Sequence, residues 1–126
     1  MKTPKFILTA QPGGGCVLSF DPPDLSPKRG LAKIGKNRLL SMKLNGLPGD
    51  PIKTATFTFT DKDATGWPFQ GQETADFVWA NGQQPVETIG TNGTWMFSVT
   101  LLSKAGNTFF LPDPELQVGD GPGTED

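Results

Sequence analysis

The chain has no histidine and no tyrosine, and its 126 residues include a single cysteine, Cys16. Missing histidine removes the commonest general base and the commonest transition-metal ligand together. One cysteine excludes an internal disulfide. Cys16 also lacks a histidine partner, and its alternation with Leu18 and Phe20 reads as a small buried hydrophobe. No P-loop, dinucleotide fingerprint or nucleophile elbow occurs, and no carboxylate pair stands out for glycoside chemistry. The inventory points away from an enzyme, and no cofactor is expected. No window reaches the apolar length of a membrane span. The opening residues carry positive charge, but Phe6 to Ala10 is too short for the apolar region of a signal peptide. Sec export is therefore not expected, and a cytoplasmic or virion-associated location is.

What the chain does have is turn residues and aromatics: 16 Gly and 12 Pro beside 9 Phe and 3 Trp. That combination suits a packed fold of short strands rather than a disordered chain. Its length fits one domain. The pattern predicts about seven to nine strands at roughly 10–12-residue spacing, with no helix. In the run from Ile52 to Thr60, Ala55, Phe57 and Phe59 share one face, and Thr54, Thr56, Thr58 and Thr60 the other. The alternation is that of a half-buried strand. Lys5 to Thr9, Cys16 to Phe20, Arg38 to Leu44, Thr74 to Ala80, Val86 to Ile89 and Thr108 to Leu111 read as further strands. The basic run from Lys28 to Lys36 has no clear period, and Glu115 to Val118 reads as an edge segment.

The stretch from Thr91 to Thr108 is the most informative. Asn92-Gly93 reads as a tight hairpin turn, because Asn-Gly supplies positive backbone dihedrals. Trp95, Phe97, Val99 and Leu101 then alternate with Met96, Ser98, Thr100 and Leu102, and Ala105-Gly106-Asn107 closes a second hairpin. Gly93-Thr94, Phe97, Val99 and Ala105-Gly106-Asn107-Thr108 resemble the last two strands of bacterial immunoglobulin-like domains, with Trp95 where a tyrosine usually stands. The resemblance implies a single immunoglobulin-like antiparallel β-sandwich, here without a disulfide. Ser103-Lys104 replaces the acidic residue that precedes this turn in many such repeats, which departs from an interdomain calcium role. Leu111 to Val118 also faintly resembles the uncharacterised bacterial DP-EP proteins. The sandwich is expected to span residues 1–118, with 119–126 as a mobile acidic Gly/Pro tail.

Charge divides along the chain. Residues 1–62 hold ten Lys/Arg against four Asp/Glu, and residues 63–126 one against nine, for a net charge of −2. Lys28, Arg29, Lys33, Lys36, Arg38 and Lys43 form a candidate basic patch, for an anionic partner or a complementary subunit. No aromatic residue that would stack a base lies between Phe20 and Phe57, so nucleic acid is not favoured. Gly66-Trp67-Pro68-Phe69-Gln70-Gly71-Gln72 puts two large aromatics in a loop. Trp67 and Phe69 beside Gln70 and Gln72 suit a protein hot spot or a sugar-stacking platform. Asp61, Asp63 and Thr65 open like a calcium loop, but Gln72 takes the twelfth position and Glu73 falls one late. No metal site is favoured there.

These readings lead to a non-enzymatic structural or assembly protein that docks on other protein chains or self-associates. A phage or virion accessory protein, or a bacterial filament or secretion-associated subunit, would fit. The alternative is a small carbohydrate-binding module using the Trp67/Phe69 loop.

Overall fold

A computed structural model describes residues 3–26 and 30–119. Lys28 and Arg29 of the expected basic patch, and residues 120–126 of the expected tail, lie outside the described residues. The strands are β1 (Lys5–Ala10), β2 (Cys16–Asp21), β3 (Leu31–Ile34), β4 (Leu39–Asn45), β5 (Ile52–Asp61), β6 (Asp76–Ala80), β7 (Val86–Glu87), β8 (Gly93–Ser103), β9 (Thr108–Leu111) and β10 (Glu115–Val118). A 3-10 turn at Pro23–Leu25 is the sole helical element among the described residues.

The strands form two sheets. One runs β2-β1-β4-β7. The other runs β3-β10-β8-β5-β6, with β9 also paired to β8. The eleven residues of β8 meet β10 along their first half and β9 along their second. Strict alternation explains the layering: Trp95, Phe97, Val99 and Leu101 are buried, as are Ala55, Phe57 and Phe59 on β5. The threonines of β5 face outward. Across the layers Phe6 of β1 stacks on Phe97 of β8 with centroids 6.5 Å apart, and one apolar cluster draws on both sheets. Each buried Phe or Leu here contributes about 1.5–3 kcal/mol through removal of apolar surface from water.

The expectation of a purely antiparallel sandwich needs correction. β1 runs parallel to β4, and β3 runs parallel to β10. Parallel neighbours need a crossover of a dozen or more residues. Here the crossover from β1 to β4 passes through β2 and through β3 in the other sheet. Glu115 to Val118 is likewise an inner strand between β3 and β8 rather than an edge. The basic run contains a strand, β3, in which Leu31, Ala32 and Ile34 are all buried.

Asn92-Gly93 is not a hairpin turn. The strand before β8 is β7, which belongs to the other sheet, and Gly93 does not take positive φ. Gly93 is needed because a Cβ there would lie 2.5 Å from Cη2 of Trp95 and 2.9 Å from Cβ of Ala64. The Gly106 turn does form as read, with φ +92° and its N–H on the Ser103 carbonyl at 3.0 Å.

That turn is tied to the β4–β5 loop by Asp50. The Asp50 carboxylate accepts the Ala105 N–H and the Asn107 Nδ2–H, each at 2.9 Å. Hydrogen bonds from the Asn107 and Ser103 side chains, and then from the Ala105 N–H, hold the Asp50 pKa below its usual value. A carboxylate with a depressed folded-state pKa stabilises the fold above its unfolded pKa and loses that contribution as pH falls through the folded value. Asp50→Asn is therefore expected to be less stable than the parent at neutral pH, with the gap closing below about pH 4. Urea melts of both proteins at several pH values check this, and a gap independent of pH would refute it.

Candidate functional site

The Trp67 loop runs alongside the β7 edge of the four-stranded sheet. The Gln70 N–H donates to the Glu87 carbonyl at 2.8 Å, and the Ile89 N–H to the Pro68 carbonyl at 3.0 Å. Phe69 forms a bridge with Thr88, so Pro68 to Gln70 act as one more strand beyond β7. The ring of Phe69 turns inward, 4.7 Å from Phe77 and 5.8 Å from Phe59 by centroid. At 2% exposure it cannot present a face to a ligand, and the expected aromatic platform is corrected at that position. Trp67 is half-buried against the core. Gln72 accepts the Phe69 N–H and donates to the Thr74 carbonyl, and Gln70 donates to the Thr88 carbonyl and to Asn37 Oδ1. Both amides are used to shape the loop. The physical reason is that an open sandwich side would expose Phe59 and Phe77, and the loop covers it.

Thr88 anchors this arrangement. It is fully buried, donates its hydroxyl to the Gly35 carbonyl at 2.7 Å and accepts the Arg38 N–H at 2.9 Å. Its hydroxyl thus satisfies two main-chain groups of the turn between β3 and β4, which burial would otherwise leave at a cost.

The other candidates separate in space. Lys33 lies between inward-facing Ala32 and Ile34 on β3, and exposed Lys43 lies between Met42 and Leu44 on β4. They therefore project from the outer faces of opposite sheets, with Lys36 and Arg38 in the connection between, and do not make one basic surface. Asp61 Oδ1 accepts the Ala64 N–H at 2.9 Å, a local turn. Lys62, between Asp61 and Asp63, is paired with Glu115, which raises its pKa. Thr65 and Glu73 are exposed, and among the described residues no group of three acidic or cysteine side chains is placed to hold a metal. Cys16 is buried, and desolvation pushes its thiol up to about 11 despite an opposing hydrogen bond from the Thr9 backbone. A thiol held protonated at neutral pH is a poor nucleophile.

Strand edges distinguish the remaining surface. An unpaired edge is a template for another chain, and proteins blunt it with charge, shortness or cover. The Pro68 to Gln70 segment covers β7. On β6 the Gln83 side chain accepts the Ala80 N–H at 3.1 Å, its own N–H donates to the Ala80 carbonyl at 2.9 Å, and the Thr74 hydroxyl donates to the Asp76 carbonyl at 3.3 Å. β3 is four residues long and carries Lys33. β2 has six residues and no Lys, Arg or Pro, and its one charged residue, Asp21, stands at its end. The turn just before it is tied to β9, where the Phe110 N–H donates to the Gly14 carbonyl at 2.9 Å.

Beside β2 opens a cleft of about 330 Å³ whose lining is mostly apolar, with Leu18, Phe20, Ala32 and Leu111 beside two acidic residues, Asp113 and Glu115. Val17 and Phe110 stand near it, 51% and 52% exposed. The sequence does not single out this edge, because β2 alternates like any other strand and a strand's neighbours are not written in its alternation. The signal that could have found it is the absence of any charge from Cys16 to Phe20.

Compared with known proteins, the chain matches no family model, no curated protein and no solved structure. Among the described residues, no helix is long and apolar enough to cross a membrane.

Proposed function

We propose that the chain is a non-enzymatic, immunoglobulin-like docking module that takes an extended segment of another protein along the edge of β2. The observation that carries this reading is the edge of β2: β7 is covered, β6 is capped, β3 is short and carries Lys33, and β9 is met by Gly14, whereas β2 has no charge from Cys16 to Phe20 and borders a largely apolar cleft. Strand addition suits such a site, since main-chain hydrogen bonds supply affinity and side chains of alternate residues fill the pocket. The two-layer architecture and the Gly106 hairpin support the immunoglobulin-like comparison. A chain without histidine, whose one thiol is buried, supports a binding rather than a catalytic role. Such a module fits the assembly of a particle or filament from protein subunits.

The test is selection of displayed peptides on the protein, followed by anisotropy measurements on wild type and Val17→Lys. Val17 points outward, so the substitution is expected to change stability by less than about 0.5 kcal/mol. A lysine on the edge is expected to weaken selected extended, apolar peptides by about tenfold or more. Selection that yields no such peptide, or peptides indifferent to Val17→Lys, would overturn the reading.

A further inference from the structure

A second cavity, also of about 330 Å³, lies on the outer face of the six-stranded sheet. Its floor comes from two facing pairs, Thr58 with Ser98 and Thr60 with Met96. Its wall is Asp113, between Pro112 and Pro114. The Phe97 N–H donates to the Pro114 carbonyl at 2.9 Å, which fixes this wall over β8. Asp113 takes φ +62°. That conformation is uncommon for a residue other than glycine, and a following proline restricts it further. Backbone held this way tends to mark functional positions.

The groups in the cavity define a ligand chemistry. Asp113 offers two acceptor oxygens, is exposed, and has no hydrogen-bond partner among the described residues. Thr58 gives its hydrogen to Asp76 Oδ1 at 3.0 Å, so toward the cavity it is an acceptor. Thr60 and Ser98 can each donate and accept, and neither has a partner among the described residues. Met96 adds a polarizable apolar surface. The ligand must bring several donors, at least two acceptors and a patch of C–H. A bare ammonium offers donors only. We propose that this cavity binds a polyhydroxylated ring, one sugar unit whose adjacent hydroxyls donate to Asp113 while its C–H face lies on Met96. The volume is at the lower end of small-molecule sites, about 300–1,000 Å³, and accommodates one ring rather than a chain. The floor of this site is on the opposite sheet from β2, with Asp113 standing between it and the cleft beside β2, and the site uses none of the residues expected for sugar in the Trp67 loop.

The test uses the methionine methyl groups as reporters. The chain has three methionines, and Met42 is buried in the core, so it serves as an internal control for Met96. Protein labelled at the methionine methyls is titrated by NMR with methyl glycosides of glucose, galactose and mannose, and separately with putrescine. A saturable shift of Met96 alone is expected with at least one glycoside, with a dissociation constant on the order of millimolar for so small a ligand. Asp113→Asn is expected to weaken it about tenfold, and Ser98→Ala less. Asparagine tolerates the left-handed conformation, so the Asp113→Asn variant should melt with the parent. No Met96 response to any glycoside, a response unchanged in Asp113→Asn, or a response to putrescine alone would each overturn the proposal.

Discussion

Trp95→Ala is expected to cost about 4–5 kcal/mol, the upper end of large-to-small core substitutions. Trp95 is fully buried at the middle of the six-stranded sheet, paired with Asp61 on one side and Leu116 on the other. Its ring rests on the bare Cα of Gly93, and its Nε1–H donates to the Gly66 carbonyl at 2.8 Å. Removing the indole therefore opens a cavity whose floor cannot rise to fill it, because Gly93 has no side chain. It also frees the loop that starts at Asp61. Domains of this size have total stabilities of about 5–15 kcal/mol, so the variant should sit near its unfolding threshold. Trp95→Phe keeps most of the buried ring and should cost about half as much. Urea unfolding followed by circular dichroism measures both. Equal midpoints for parent and Trp95→Ala would show that the ring is not an anchor.

Phe69→Ala should be the second most damaging change, at about 3–4 kcal/mol. A ring waiting for a ligand could be removed without cost to the free protein. A ring that contacts Phe59 and Phe77 under a bridging segment could not. The loss should also be local in character. The amides of Gln70 and Ile89, which bond across the Pro68 to Gln70 bridge, should lose hydrogen-exchange protection before those of β8 do. Trp67→Ala, at a half-buried position, should be milder. If Phe69→Ala melted with the parent, the segment would be an ornament on the sandwich and not its side wall.

The contrast between these residues shows what the sequence could convey. β5 and β8 were readable because period-two alternation records which face of a sheet a side chain occupies, and Phe57, Phe59, Trp95 and Val99 obey it. Alternation does not record which strand lies alongside, so the parallel pairs went unseen. β3 was hidden because Leu31, Ala32 and Ile34 are all buried, and its one outward residue, Lys33, merged with a basic run. Gly93 was legible as a special position but for the wrong reason: Asn-Gly is turn chemistry, whereas the constraint comes from the Trp95 ring. The burial of Phe69 is not legible in its loop, because it depends on Phe59 and Phe77, ten residues before it and eight after. The cavity at Asp113 had a signal of its own, an aspartate between two prolines, but nothing local says that Thr58 and Ser98 lie beneath it.

The place of β10 bears on how the molecule comes into being. Leu31 pairs with Glu115, and the same short strand pairs on its other side with the start of β8. During synthesis all of the chain from Gly35 to Pro114 must follow β3 out of the ribosome before its neighbour exists. Long-range pairing of this kind is slow, because loop-closure entropy is spent before the contact is made. Until β10 inserts, the nascent chain carries bare margins on both β3 and β8, the state in which β proteins are most prone to pair with one another. A chain cut before Glu115 would remain in that state for good.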